Sequence, residues 1–189
     1  MKQGIRVLGI DDSPFLRSDK TTLIVGVVCR KESEFSKSQG LIVEGVLSTH
    51  VLVDGDNGTA KLCEMILRSR FRQELCAIML NGIMLAGFNA VDIVALSEKT
   101  NLPVLALTRK KPDQMAVFRA IKNTKNWEEK LLRIQAAGPS KCIEGWHAQL
   151  TEIDLNDARD IIRVFGNGPQ RLAHIIASGI VDGESHGRA

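Results

Sequence analysis

Near its amino terminus the chain reads Ile5-Arg6-Val7-Leu8-Gly9-Ile10-Asp11-Asp12-Ser13-Pro14-Phe15, a short apolar run that ends in two carboxylates and a proline turn. The alternating and β-branched residues predict a buried strand. Ser13-Pro14 ends this strand, because the residue before a proline is pushed out of helical geometry. Asp11 and Asp12 are therefore expected at the carboxyl end of a strand, where open α/β sheets carry their ligand sites. The alternative is a solvated turn, since Asp-Asp-Ser-Pro is also ordinary turn chemistry.

The composition is that of an ordinary globular protein: 189 residues, 44% hydrophobic and 25% charged, with a net charge of +3. We expect one domain over residues 1–189, large enough to fold around a full core. The start of the chain leads directly into a charged strand, and no stretch approaches a membrane span, so a cytoplasmic protein is expected. The four cysteines are widely spaced, which predicts neither a zinc site nor a disulfide framework.

The chain beyond the first strand alternates between strand and helix patterns. Residues 21–30 form a β-branched run that predicts an antiparallel hairpin with the first strand, and after a polar loop at 31–39 a third strand or strand pair follows at 41–53. A helix is predicted at 60–72, and buried parallel-type strands are predicted at 75–80 and 102–108. One further helix begins near Pro112, and another runs from 126 to 137. A strand or pair at 141–153, a helix at 155–164 and a last amphipathic helix complete the chain. This order predicts an α/β fold, with an antiparallel meander joined to parallel strands in one mixed sheet.

The predicted loop after Leu80 has two alternatives. Asn81-Gly82 between apolar runs is a strong hairpin signal, with Ile83 to Leu85 as the return strand. The apolar spacing from Val91 to Ser97 favours instead a strand, a functional loop and a helix, and we prefer this second interpretation.

Three predicted strand ends carry oxygen ligands: Asp11 with Asp12, Asp54 with Asp56, and Asn81. If these ends meet, they form a site for Mg²⁺ or Mn²⁺, which bind carboxylate and water oxygens. Such ions support phosphodiester cleavage. His174 shares a face of the last helix with Arg171 and is a candidate for proton transfer, although a lone histidine beside an apolar stripe is more often structural.

The excess positive charge is local. Between residues 108 and 133 there are eight basic and three acidic residues, a local net charge of +5. Arg109, Lys110 and Lys111 follow a predicted strand directly and suit phosphate contacts, which makes DNA or RNA the expected partner. The alternative is an ordinary solvated helix surface.

Several motifs together resemble the largely archaeal family called domain of unknown function 99, and the resemblance covers nearly the whole chain. That family is more distantly similar to endonuclease V, which has a ribonuclease H-like fold and cuts nucleic acid near deaminated bases with a divalent metal. The motifs are Gly9–Phe15, Gly45–Thr49, Val53–Gly55, Met79–Ile83 with Ala86–Asn89, Arg171–Ile180 and Gly183–Ala189.

The resemblance implies roles for single residues. Asp11 matches the first catalytic aspartate of endonuclease V, and His174 lies in a segment similar to its late Arg-Leu-Ala-His motif. Asn81 occupies the place of an aspartate found in both families. Asp54 or Asp56 is the nearest substitute for the middle glutamate.

The chain also departs from the endonuclease V pattern. The lysine that follows the next strand in endonuclease V falls near Thr108 or Arg109 here. The aromatic and proline wedge that probes the damaged base is not evident around residues 41–45, and the chain has no tyrosine.

Three hypotheses follow. The first is a metal-dependent nucleic-acid phosphodiesterase with Asp11 and His174 as catalytic residues, metal ligands at Asp11, Asp54, Asp56 and Asn81, and nucleic-acid contacts from Arg109, Lys110, Lys111 and Arg171. The second is a non-catalytic nucleic-acid or nucleotide-binding protein, in which the uncharged Asn81 reflects lost chemistry. The third is a structural interaction module whose polar strand ends are only turns.

Overall fold

A computed structural model describes residues 4–31 and 40–185, and the predicted loop at 32–39 and the last residues of the terminal motif lie outside these ranges. Seven strands form the main sheet: β1 (Arg6–Asp12), β2 (Thr21–Lys31), β3 (Leu41–Leu52), β4 (Leu75–Leu80), β7 (Val104–Thr108), β8 (Lys141–Ile143) and β9 (Trp146–Thr151). Their order across the sheet is β3-β2-β1-β4-β7-β9-β8. A separate pair, β5 (Met84–Leu85) and β6 (Asn89–Ala90), forms a small hairpin.

The strand directions bring several carboxyl ends to one edge of the sheet. Strand β2 is antiparallel to both β1 and β3, so β1 and β3 run the same way, and β1, β4 and β7 are parallel neighbours. Strands β9 and β8 return antiparallel. The predicted meander followed by parallel strands is therefore confirmed, and the third predicted element is a single strand. Asp11, Asp12, Asn81 and Thr108 all stand at the same edge.

Six helices in the described residues cover the two faces of the sheet. One face packs against α1 (Gly58–Leu67) and α2 (Ile93–Thr100), and the other packs against α5 (Leu155–Phe165) and α6 (Gly168–Asp182). Between β7 and β8 the chain forms α3 (Gln114–Ile121) and α4 (Trp127–Ala136). Aspartates cap α2, α3 and α5, because each side chain accepts a backbone N–H of the first turn. None of the helices in residues 4–31 and 40–185 has the length and apolar character needed to cross a membrane.

Two local predictions need correction. The helix predicted at 60–72 begins earlier and ends at Leu67, and a short 3₁₀ turn (Arg72–Glu74) leads into β4. The loop after Asn81 combines both alternatives: it contains the β5–β6 hairpin and is followed by α2, but Asn81-Gly82 is not the hairpin turn. Gly82 instead has a φ of +76° and donates its N–H to Leu107 O on β7, so it ties the loop to the parallel sheet.

Helix α6 crosses β1 closely because Gly9 has no side chain. A Cβ atom at Gly9 would overlap the backbone and ring of Pro169, in the first turn of α6. Pro169 suits that turn, where its missing N–H has no intrahelical partner in any case. One turn after Gln170, the same helix places His174 beside the carboxyl end of β1.

Candidate metal centre

Asp11, Asp12 and His174 meet at the carboxyl end of β1. One ligand atom from each lies within 4.8 Å of the other two, and this group is the one cluster of three or more His, Cys, Asp or Glu side chains with such spacing in the described residues. His174 Nδ1 is 3.7 Å from Asp11 Oδ2. The structure thus brings together Asp11, the adjacent Asp12 and His174, all of which the sequence named as candidates.

Asn81 completes the group from the neighbouring strand. Its Nδ2 atom is 3.4 Å from Asp11 Oδ2, because Asn81 directly follows β4 and β4 is the parallel neighbour of β1. Rotating the amide by 180° would present its oxygen at the same position, and oxygen is the atom able to bind a hard cation. Asn81 is therefore placed as the sequence predicted, beside Asp11.

Asp12 is held by the loop that follows Asn81. Its Oδ2 atom accepts the backbone N–H of Ala86 at 2.6 Å, and its carbonyl oxygen lies 3.2 Å from His174 Nδ1. A proton on Nδ1 donates to that carbonyl and leaves Nε2 as the ring nitrogen that can accept a proton. Ser178 Oγ, one turn along α6, is 3.5 Å from Nε2.

The two carboxylates are electrostatically unsatisfied. Burial raises the pKa of Asp11 to about 7, and repulsion from Asp12 adds to this shift. Burial likewise raises the pKa of Asp12 above its ordinary value. No lysine or arginine within 4–31 and 40–185 forms an ion pair with either group. Two neighbouring acids with no lysine or arginine partner, beside an amide and the His174 imidazole 3.7 Å from Asp11, are a donor set that fits Mg²⁺ or Mn²⁺.

Gln170 adds a polar group nearby that sequence patterns did not indicate. Its side chain is buried, and its Nε2 atom donates to Leu80 O, directly before Asn81. Its Oε1 atom is buried and has no hydrogen-bond partner among the described residues. Buried polar atoms normally have partners, so this oxygen has unused capacity for a donor such as water or for a cation. Its position on the apolar-striped helix gave no signal in the sequence.

Asp54 and Asp56 are not part of this cluster. Asp54 Oδ1 accepts the Phe88 N–H at 2.8 Å, and Asp56 Oδ2 accepts from Asn126 Nδ2 at 2.7 Å. The physical reason is the strand order: β2 lies between β1 and β3, so the end of β3 starts about 10 Å from the end of β1. The ligand role predicted for Asp54 and Asp56 stays a prediction, and the structure gives both carboxylates other partners.

The basic residues predicted to contact nucleic acid are all exposed. Arg109, Lys110 and Lys111 follow β7, at the same sheet edge as the cluster, and Arg171 lies in the first turns of α6. The Arg109 guanidinium stacks over the Trp146 ring, 4.5 Å from its centroid. These positions are compatible with phosphate contacts.

Two other bases of the same charged segment face inward. Lys130 is fully buried, and Arg133 Nη1 donates to the carbonyl oxygens of Asp56 and Ala90. The local charge counted from the sequence therefore overstates the basic surface. Neither residue carries a sequence signal that separates it from the exposed bases around it.

A cleft of about 710 Å³ opens beside Asn81. Asn81 and Lys111 lie on its wall, together with the apolar side chains of Ile83, Met84 and Met115. Through Asn81 the site borders a cavity that is largely apolar and has a base at its edge, which is the usual character of a small-ligand site.

Residues 3–181 match the family described as endonuclease dU. The chain belongs to the endonuclease dU family. A UPF0215 protein of Methanothermobacter thermautotrophicus is 42% identical over 199 aligned positions, which cover 100% of this chain and 94% of the relative. A UPF0215 protein of Archaeoglobus fulgidus is 35% identical, covering 97% of this chain and 98% of the relative.

Two solved structures extend the comparison. A protein of unknown function from Archaeoglobus fulgidus superposes with a TM-score of 0.81 at 32% identity, covering 95% of this chain and 99% of that one. Human endonuclease V superposes with a TM-score of 0.55 at 16% identity, covering 92% and 83%. The latter likeness concerns the fold alone, which in endonuclease V is ribonuclease H-like. The endonuclease V-like resemblance and the mixed α/β fold predicted from the sequence are confirmed for this endonuclease dU family member.

Proposed function

We propose that this endonuclease dU family member is a divalent-metal-dependent nucleic-acid phosphodiesterase. The observation that carries the proposal is the pair of adjacent carboxylates, the buried Asp11 and the half-buried Asp12, which no lysine or arginine of the described residues neutralises. A protein that leaves two adjacent acids in this state gains most from binding a cation there.

In this proposal Asp11 and Asp12 bind Mg²⁺ or Mn²⁺ through carboxylate oxygens, and Asn81 contributes its amide oxygen. When bound, such an ion supplies a Lewis acid for a phosphodiester oxygen and for water. His174 Nε2 takes up or delivers a proton, while the hydrogen bond of its Nδ1 to Asp12 O fixes the ring.

The substrate is a nucleic-acid strand. Lys111, exposed at the edge of the cleft, binds backbone phosphate together with Arg109 and Lys110. Arg171 offers a further phosphate contact from α6. The family description, endonuclease dU, makes strands that carry deoxyuridine the first substrates to test.

A second candidate is a nucleic-acid-binding protein without cleavage activity. The observation that favours it is Asn81, whose amide brings no negative charge to the position beside Asp11. With fewer charged ligands the site binds cations more weakly.

One experiment separates the two candidates. Labelled single- and double-stranded DNA and RNA, with and without deoxyuridine or another deaminated base, are incubated with Mg²⁺ or Mn²⁺, and Mn²⁺ affinity is measured by calorimetry. We expect the wild-type protein to cleave in a metal-dependent way, and the cleavage rate of Asp11→Asn to be lower by roughly 100-fold or more. This loss is at or beyond the upper end of what is seen when a residue that only supports a metal ligand is mutated. Asp157→Asn, at an exposed acid of α5, is the matched control and should change neither quantity.

The Asn81→Asp variant sharpens the result. If the wild-type protein binds nucleic acid in a salt-dependent way but does not cut it, while Asn81→Asp binds Mn²⁺ more tightly, the non-catalytic candidate is supported. Wild-type protein that binds no Mn²⁺ at all would contradict the metal site itself.

A further inference from the structure

Asp12 depends on a tight turn at the tip of the β5–β6 hairpin. The turn consists of Ala86, Gly87 and Phe88, and its Ala86 N–H donates to Asp12 Oδ2 at 2.6 Å. Ala86 has a φ of +49° and Gly87 a φ of +81°. Left-handed backbone is costly for a residue with a side chain, so surrounding contacts must hold Ala86 in this conformation.

Asp54 supplies these contacts. Its backbone N–H donates to Ala86 O at 2.9 Å, and its Oδ1 atom accepts the Phe88 N–H at 2.8 Å. A Cβ atom at Gly87 would overlap Asp54 Oδ1, which explains the glycine between them. Asp54 therefore bonds to the turn on both sides of Gly87.

Lys130 in turn holds Asp54. Its Nζ atom donates to Asp54 O at 2.7 Å and to Thr124 Oγ1 at 3.0 Å, and its side chain is fully buried. Asp54 has a φ of +54°, so its own backbone also needs such support. Removing an ammonium group from water costs free energy unless hydrogen-bond partners compensate for the lost hydration. The buried position of Lys130 is therefore one that the rest of the fold has to stabilise.

We propose that Asp54, held by Lys130, is a positioning residue that fixes the Asp12 carboxylate through the Ala86–Phe88 turn. This inference rests on the metal site proposed above and replaces a direct ligand role for Asp54 by an indirect one. The route runs from α4 through the end of β3 and the hairpin tip to the end of β1, so a helix outside the sheet sets the geometry of the site.

The Asp54→Asn and Asp54→Ala variants distinguish positioning from ligation. The amide oxygen of asparagine still accepts the Phe88 N–H, and asparagine tolerates positive φ, so Asp54→Asn should keep wild-type Mn²⁺ affinity. Alanine loses the acceptor, and Asp54→Ala should bind Mn²⁺ about 10-fold more weakly, the lower end of the loss seen for outer-shell partners. Equal loss in both variants would mean that the charge of Asp54 matters, and would overturn the proposal.

The backbone amide resonance of Ala86 gives a readout that needs no metal. Its N–H donates to a carboxylate, so its ¹H shift should move in Asp54→Ala and stay in Asp54→Asn. Lys130→Met should move it as well, whereas Lys125→Met, at an exposed lysine just before α4, should not. An unmoved Ala86 resonance in folded Lys130→Met contradicts the route.

The two proposals fail in different ways. If the wild-type protein binds no Mn²⁺, the proposed function is overturned, and the Ala86 resonance still decides whether Asp54 and Lys130 position Asp12. If the wild-type protein binds Mn²⁺ and Asp54→Ala binds it equally well, the positioning role is overturned and the metal site stands. Should Asp54→Ala not fold, Lys130→Met takes its place in both measurements.

Discussion

The carboxylates near the two ends of β1 have opposite electrostatic surroundings. At the amino end, Glu44 of β3 lies between Arg6 and Arg30, with Arg30 Nε 2.6 Å from Glu44 Oε1, and these guanidinium groups lower the pKa of Glu44. At the carboxyl end, burial raises the pKa of Asp11 to about 7 and also raises the pKa of Asp12. Glu44 therefore pairs with two arginines, whereas within the described residues neither Asp11 nor Asp12 pairs with a lysine or an arginine.

This difference separates a structural ion pair from a functional site. An acid that serves the fold is neutralised by the protein's own bases. Acids that are packed together without such bases destabilise the metal-free protein whenever both are charged, because they repel each other. This cost indicates that a bound cation neutralises them in the functional protein. Three variants test how far the contrast holds.

The largest effect is expected for Asp11→Asn in the presence of a chelator. The folded state raises the pKa of Asp11, so the wild-type protein loses stability as the pH rises from about 4 to about 7, and the loss is complete above that. Asparagine mimics the neutral acid and should raise the free energy of unfolding at pH 8 by up to about 4 kcal/mol. The gain should vanish near pH 4, as measured by urea unfolding across this pH range.

Excess Mn²⁺ should reverse that order, because a cation that binds only the folded wild-type protein stabilises it by mass action. If the wild-type protein is more stable than Asp11→Asn in chelator at pH 8, the conclusion that Asp11 and Asp12 lack a neutralising cation is contradicted.

A somewhat smaller effect is expected for Gly9→Ala, which tests how α6 reaches the acidic end of β1. The added methyl group meets the backbone of Pro169, which cannot move aside like a flexible side chain, so about 3 kcal/mol of stability should be lost. The control is Gly179→Ala on α6, where a Cβ atom meets nothing and alanine should raise the free energy of unfolding by up to about 1 kcal/mol. Chemical denaturation of both variants makes the comparison, and equal stabilities would refute the close crossing.

The smallest effect is expected for Glu44→Gln at the opposite end. The pKa of Glu44 is lowered in the folded state, so its contribution is present above the ordinary pKa of a glutamate and is lost as the pH falls. Because the group is partly open to solvent, about 1 kcal/mol or less should be lost at pH 7. Thermal unfolding at pH 7 and pH 3 measures this, and the dependence on pH should have the sign opposite to that of Asp11→Asn.

Most of the fold could be predicted from local patterns. Strand β4 has the predicted bounds, the hairpin of β1 and β2 follows from two adjacent β-branched runs, and Asp11 and Asn81 lie where the ends of two parallel strands suggest. These features were accessible because residue periodicity and turn chemistry act over a few residues.

The mixed sheet and the positions of Asp11, Asp12 and Asn81 at strand ends follow from the order of residues along the chain. Contacts across the folded chain were needed to show that β2 separates Asp54 from Asp11, that Lys130 is buried while the earlier Lys125 is exposed, and that α6 brings His174 to β1. Strand order, the burial of one base among many and the crossing of a helix from the far end of the chain are set by contacts between residues distant in sequence, which no local pattern records.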